Sequence, residues 1–143
     1  MKLKVSKKQY KYCPQTREEL DDLLEQLLEE RGWEADLNDI DVSNITDMSS
    51  LFYNYADFNG DLSEWDVSNV IVMRSMFAEC RSFEGKGLEN WDVSNVKDMD
   101  SMFYYCEKLD CDLSKWDVSN VIYMEGIFYN CPIKDEYKPK FKK

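Results

Sequence analysis

The sequence predicts an α/β repeat solenoid: about four coils of about 25 residues, each with a short strand and a helical turn, capped by an N-terminal amphipathic helix. Three observations lead there. The tetrad Asp-Val-Ser-Asn begins at Asp41, Asp66, Asp92 and Asp117, at intervals of 25, 26 and 25 residues. Apolar columns recur in phase on both sides of it. A capping box followed by a leucine stripe precedes the first copy. The predicted organisation is a basic segment and capping helix over 1–34, four repeats over 35–133 and a lysine-rich tail over 134–143, all in one structural domain.

In chain order, Lys2–Tyr12 is expected to add a short strand. Thr16-Arg17-Glu18-Glu19 then forms a capping box. Leu20, Leu23, Leu24, Leu27 and Leu28 follow at helical spacing and Gly32 closes the segment, which predicts a helix over 16–31. Each repeat opens with Leu37-x-x-Ile40, Leu62-x-x-Trp65, Leu88-x-x-Trp91 or Leu113-x-x-Trp116. The Asp-Val-Ser-Asn tetrad turns the chain, because Asp, Ser and Asn side chains bond to nearby backbone. Met48-x-x-Leu51-Phe52, Met73-x-x-Met76-Phe77, Met99-x-x-Met102-Phe103 and Met124-x-x-Ile127-Phe128 read as one helical turn laying Met and Phe inward. The extra residue of the 26-residue interval falls in Gly85-Lys86-Gly87, where glycine loosens the turn. Cys131-Pro132 stops the last repeat, and the tail after it is expected to fray.

Composition narrows the function. With 43% hydrophobic and 14% aromatic residues, the chain can bury a core despite a net charge of −11, so it is not a disordered acidic tail. No histidine is present, which removes Ser-His-Asp and Cys-His systems and histidine metal sites. The five glycines form no phosphate-binding loop. No apolar run is long enough to span a membrane. The basic N-terminus has no apolar stretch behind it, so neither a secretory signal nor a lipoprotein leader is expected. Five cysteines, an odd number, then point to reduced thiols and a cytoplasmic location. Residues 12–133 hold 8 of the 18 basic and 27 of the 29 acidic residues, a balance of −19. Such a body repels phosphate backbones, so the expected partner is a protein with a basic surface rather than nucleic acid.

The unit Asp61-Leu62-Ser63-Glu64-Trp65-Asp66-Val67-Ser68-Asn69-Val70, continued by Met73, Met76-Phe77, Cys80 and Phe83, resembles the BspA-like leucine-rich repeats of bacterial surface proteins. The resemblance covers roughly residues 35–133. It implies leucine-rich-repeat coils with short strands, and binding or adhesion rather than catalysis. A short acidic form without an export signal fits an intracellular binder, including one carried by a phage and acting in the host cytoplasm.

Among candidate sites, Cys80, Cys106 and Cys131 share a repeat column with Tyr55, and one-coil spacing without histidine reads as buried structural thiols. Asp57-Phe58-Asn59-Gly60-Asp61 lacks the calcium-loop pattern and reads as a turn. The Asp41, Asp66, Asp92, Asp117 ladder reads as carboxylates tied into their own turns, and Trp65, Trp91 and Trp116 read as core. Equivalent carboxylates supply no acid–base asymmetry for glycoside hydrolysis. No catalytic residue, metal site or cofactor is therefore expected. Binding is placed where the repeat departs from itself, just after the Val/Ile column: Asp47, Ile71 with Val72, Asp98, and Ile122 with Tyr123. Tyr104 and Tyr105 lie past the Met-Phe turn. On an extended segment only one of those two columns faces outward. The expected function is a non-catalytic protein-binding module acting through this face. The alternative is an inhibitor of a host defence nuclease that imitates nucleic-acid charge.

Overall fold

Thr16 is extended and its side chain accepts from the Glu19 N–H at 3.1 Å, which starts helix α1 at Arg17–Arg31. The Glu19 carboxylate closes the box on the Gln15 N–H at 2.9 Å, one residue earlier than the sequence pattern implies. Leu20, Leu24, Leu27 and Leu28 are buried. Gly32 ends the helix at φ 87°, with its N–H on the Leu28 carbonyl. Arg31 forks onto the Asp39 carboxylate at 3.0 and 2.9 Å and ties the helix end to the first repeat. The computed structural model describes residues 8–142. Residues 2–7 of the expected N-terminal strand lie outside them. Of the rest, only Tyr12 pairs, in a parallel bridge with Ile40.

The expected α/β solenoid of strands and helical turns is not what forms. Among the described residues there is one α-helix, two single-turn 3-10 helices (Leu88–Asn90 and Asp135–Tyr137) and no sheet. Strand pairing is confined to isolated parallel bridges: Tyr12 with Ile40, Asp36 with Asp61, and the run Asp47, Val72, Asp98, Tyr123. This is a small domain made mostly of turns. The reason is local. Ser50, Ser75 and Ser101 have φ of 55–56°, and Gly126 has 68°. Asn54, Glu79, Tyr105 and Asn130 are also left-handed, at φ 52–62°. A left-handed residue inside Met-x-x-Met breaks a helix, and its recurrence four residues later breaks a strand. The segment instead folds as overlapping i→i+3 turns, such as Leu51 N to Met48 O, Tyr53 N to Ser50 O and Tyr55 N to Phe52 O at 3.1–3.3 Å.

The four units nonetheless stack in register. Backbone N–H groups that the turns leave free donate to the next unit: Ser50 to Arg74 O, Phe52 to Met76 O and Asn54 to Ala78 O, at 2.8–2.9 Å, repeated at each later junction. Side chains return the bond. The Trp65, Trp91 and Trp116 indoles donate to Leu37, Leu62 and Leu88 carbonyls of the preceding unit at 2.8–3.0 Å. Asn69, Asn95 and Asn120 donate to the Ser43, Ser68 and Ser94 carbonyls at 2.7–2.8 Å. The Cys80 and Cys106 thiols meet the Phe52 and Phe77 carbonyls at 2.9 and 3.0 Å. Ile40 replaces tryptophan where no earlier repeat offers a carbonyl. Between the turns, Phe52, Phe77, Phe103 and Phe128 stack face to face at 5.5–5.7 Å, and α1 packs its leucines on the same core.

The tail does not fray. Ile133 and Pro139 are buried, and Tyr137 and Phe141 pack against the core. The Tyr137 carbonyl takes the Leu113 N–H at 2.8 Å, as Asp61 takes that of Leu37 at 3.1 Å. The tail thus covers the start of the last unit in the manner of a following one.

Candidate functional site

The candidate face is built on locked backbone. Ile71 N–H donates to the Thr46 carbonyl, Lys97 N–H to that of Ile71, and Ile122 N–H to that of Lys97, each at 2.8 Å. Their side chains are left to project. Ile71 is 41% exposed, Ile122 64% and Tyr123 54%. Val72, between two bridges, is half-buried. Both columns therefore reach solvent, against the expectation that only one would. A single bridged residue between turns does not impose the alternation of a pleated strand. Ile71 and Ile122 stand two units apart, about 10 Å at the roughly 4.8 Å spacing of bridged backbones.

The two acids of the face are engaged by backbone and by arginine. Asp47 accepts the Ser49 N–H at 2.8 Å while its side chain stays mostly exposed. Asp98 accepts the Asp100 N–H at 3.0 Å, and its other oxygen takes the Arg74 Nε at 3.0 Å. Arg74 also reaches Asp100 at 2.9 Å, so one guanidinium is shared by two carboxylates. Arg74 joins Tyr104, Tyr129 and Glu125 in lining a groove of about 450 Å³ with Ser101 and Gly126. Tyr104 stacks on Tyr129 at 5.3 Å, and Tyr105 meets both edge-on. Loss of solvent, then the neighbouring phenols, raises the Tyr104 pKa. Arg81 lies 4.9 Å from the Tyr105 ring and is held by Glu79 and Glu107 at 2.9 and 3.2 Å. The sequence reading missed Arg74 and Arg81. The available signal was two arginines set in an otherwise acidic repeat.

The other ladders are structural. Asp41, Asp66, Asp92 and Asp117 each accept the N–H and hydroxyl of the serine two residues on, at 2.9–3.1 and 2.6 Å. Those serine bonds lower the pKa of Asp92 and Asp117. Trp65, Trp91 and Trp116 are 4–5% exposed. Among the described residues, no group of three potential ligands is placed to hold a metal ion. Burial pushes Cys80 and Cys111 up to about 12 and Cys131 to about 11, and also raises Cys106. Only Cys13 is exposed. Iodoacetamide near pH 8 should therefore modify Cys13 quickly and the buried thiols only after denaturation, since the thiolate is the nucleophile. Rapid modification of Cys80 or Cys106 in the folded protein, read by peptide mass spectrometry, would contradict this packing.

Residues 22–139 match the family described as Mycoplasma protein of unknown function, DUF285. No curated protein and no solved structure matches the chain. Among the described residues, no helix is long and apolar enough to cross a membrane.

Proposed function

We propose that the chain, which belongs to the family of Mycoplasma proteins of unknown function DUF285, works as a non-catalytic module that captures a protein partner on the face carrying Ile71, Ile122 and Tyr123. Within the family we read the four units as kin of the BspA-like repeats, on the Trp-Asp-Val-Ser-Asn-Val and Met-Phe motif alone. The observation that carries the function is the exposure of two isoleucines at one repeat position, held on hydrogen-bonded backbone within an acidic body. Apolar anchors on rigid backbone lose little entropy on binding. The surrounding acids suit a partner with a basic rim.

The test compares wild type with Ile71→Ser/Ile122→Ser against a partner recovered from native cells by affinity capture and identified by mass spectrometry. Stability should change by no more than about 0.5 kcal/mol per site, as at exposed positions generally. Affinity should fall about tenfold or more, because apolar anchors at an interface centre carry much of its energy. Asp47→Asn is the cleaner charge probe, since neutralising Asp98 breaks a 3.0 Å bond to Arg74, whereas Arg17 lies 3.9 Å from Asp47 and stays held by Asp21; it should slow association and flatten its salt dependence. Normal binding by the serine double variant, with capture lost on neutralising Asp47, would replace this reading with charge imitation.

A further inference from the structure

The stack has a polarity that its last unit leaves open. The Met76 carbonyl and the Phe77 N–H belong to one peptide group, which accepts from Phe52 and donates to Met102, both at 2.9 Å. The same relay passes from Phe103 to Ile127 at 2.9 Å. Three parallel relays start at Met48, Ser50 and Asn54, so four columns of aligned peptides run along the stack. All point their N–H groups toward the fourth unit. There the columns end at the N–H groups of Met124, Gly126, Phe128 and Asn130, which have no acceptor among the described residues. The tail's backbone meets Leu113 but accepts from none of this row, and it places the Lys138 ammonium 5.7 Å from the Phe128 ring. Met124 and Phe128 are half-buried, whereas Met48, Met73, Met99, Phe52, Phe77 and Phe103 are fully buried.

A second copy cannot complete the row in the same way. Two fourth units placed edge to edge would face donors with donors. The acceptor end of another copy is covered by α1, which runs from Asp47, whose carbonyl takes Arg17 at 3.3 Å, to Tyr55, which shares a cleft with Glu25 and Leu28. The three internal junctions show what the row takes: a parallel segment with carbonyls on alternate residues and an apolar side chain stacked on the phenylalanine.

We propose that the Met124–Asn130 edge docks a segment of a partner protein, laid in the position and the turn conformation of a following unit, with its backbone carbonyls on the free N–H row and an apolar side chain replacing Lys138 over Phe128. This edge is separate from the Ile71 and Ile122 face and stands whether or not that face binds.

Amide hydrogen exchange read by NMR tests it. In the free protein, Gly126, Phe128 and Asn130 should exchange at least about 100-fold faster than their bonded equivalents Ser101, Phe103 and Tyr105. An acetylated, amidated peptide copying Val121–Asn130, flanked by lysines to keep it monomeric, should slow those three amides about tenfold or more, and a scrambled peptide should not. Protection already present in the free protein, or rising with its concentration, would overturn the proposal, because the edge would then be closed by the chain or by a second copy. Equal protection by sulfate at matched ionic strength would make the row an anion site and overturn it. Peptide-induced protection confined to Ile71, Lys97 and Ile122 would overturn it too, while leaving the lateral face as the binding site.

Discussion

Phe77→Ala is expected to lower the unfolding free energy by about 3–5 kcal/mol, the usual cost of truncating a buried aromatic ring. Phe77 has no exposure and touches four rings. It stacks on Phe52 at 5.5 Å, Phe83 at 4.3 Å and Phe103 at 5.7 Å, and Trp91 tilts against it at 6.1 Å. Its neighbours cannot close the gap, because their spacing is fixed by backbone bonds from unit to unit. A domain of this size has about 5–15 kcal/mol of stability in all, so the loss would remove roughly a fifth or more of it. Phe128→Ala should cost less, because that ring is half-buried at the end of the stack. Urea denaturation measures both. A loss below about 1 kcal/mol for Phe77→Ala would mean that the phenylalanine column does not hold the units together.

The phenylalanine column was legible because burial is encoded in side chains that recur every 25 or 26 residues, and so were the tryptophan column and the aspartate turns. The local backbone was not. Met-x-x-Met-Phe has the same apolar spacing in a helical turn and in an i→i+3 turn, and only the handedness of the residue between them separates the two. Serine at 50, 75 and 101 does not announce a positive φ. Gly126 at the same position, with Asn54 and Asn130 at the next left-handed one, carried the hint. Glycine and asparagine tolerate that region best. The tail escaped notice because its lysines outweigh Ile133, Tyr137, Pro139 and Phe141, which are spaced too irregularly to form a pattern. At the candidate face, Ile71 and Ile122 could be read because they break a polar column. The second role of Asp47 and Asp98, holding the N–H groups of Ser49 and Asp100, depends on a turn that the strand assumption hid.

Gly87→Ala is expected to cost about 2–5 kcal/mol, from two separate causes. Gly87 is left-handed at φ 83°, where an L-residue loses roughly 1–2 kcal/mol. A β-carbon there would also lie 2.1 Å from the Ser63 β-carbon and 2.7 Å from its α-carbon, and forced overpacking adds roughly 1–3 kcal/mol. The contact involves backbone, so no side-chain rotation relieves it. Gly126→Ala isolates the first cause, since it has φ 68° and the added carbon would meet only the Ser101 hydroxyl, at an ordinary 3.5 Å; it should cost only about 1–2 kcal/mol. The position also explains the irregular repeat. The other units carry Asp36, Asp61 and Asp112 there, each accepting the N–H two residues on at 2.9 Å. The third unit gives up that bond and inserts Lys86 between two left-handed glycines. Deleting Lys86 together with Gly87→Asp recreates the Gly60-Asp61-Leu62 pattern of the second unit, and it should restore stability to the wild-type level. Denaturation of the three variants side by side decides the matter. Equal losses for Gly87→Ala and Gly126→Ala would show that the Ser63 contact yields, and that the insertion rather than the close approach is what requires glycine.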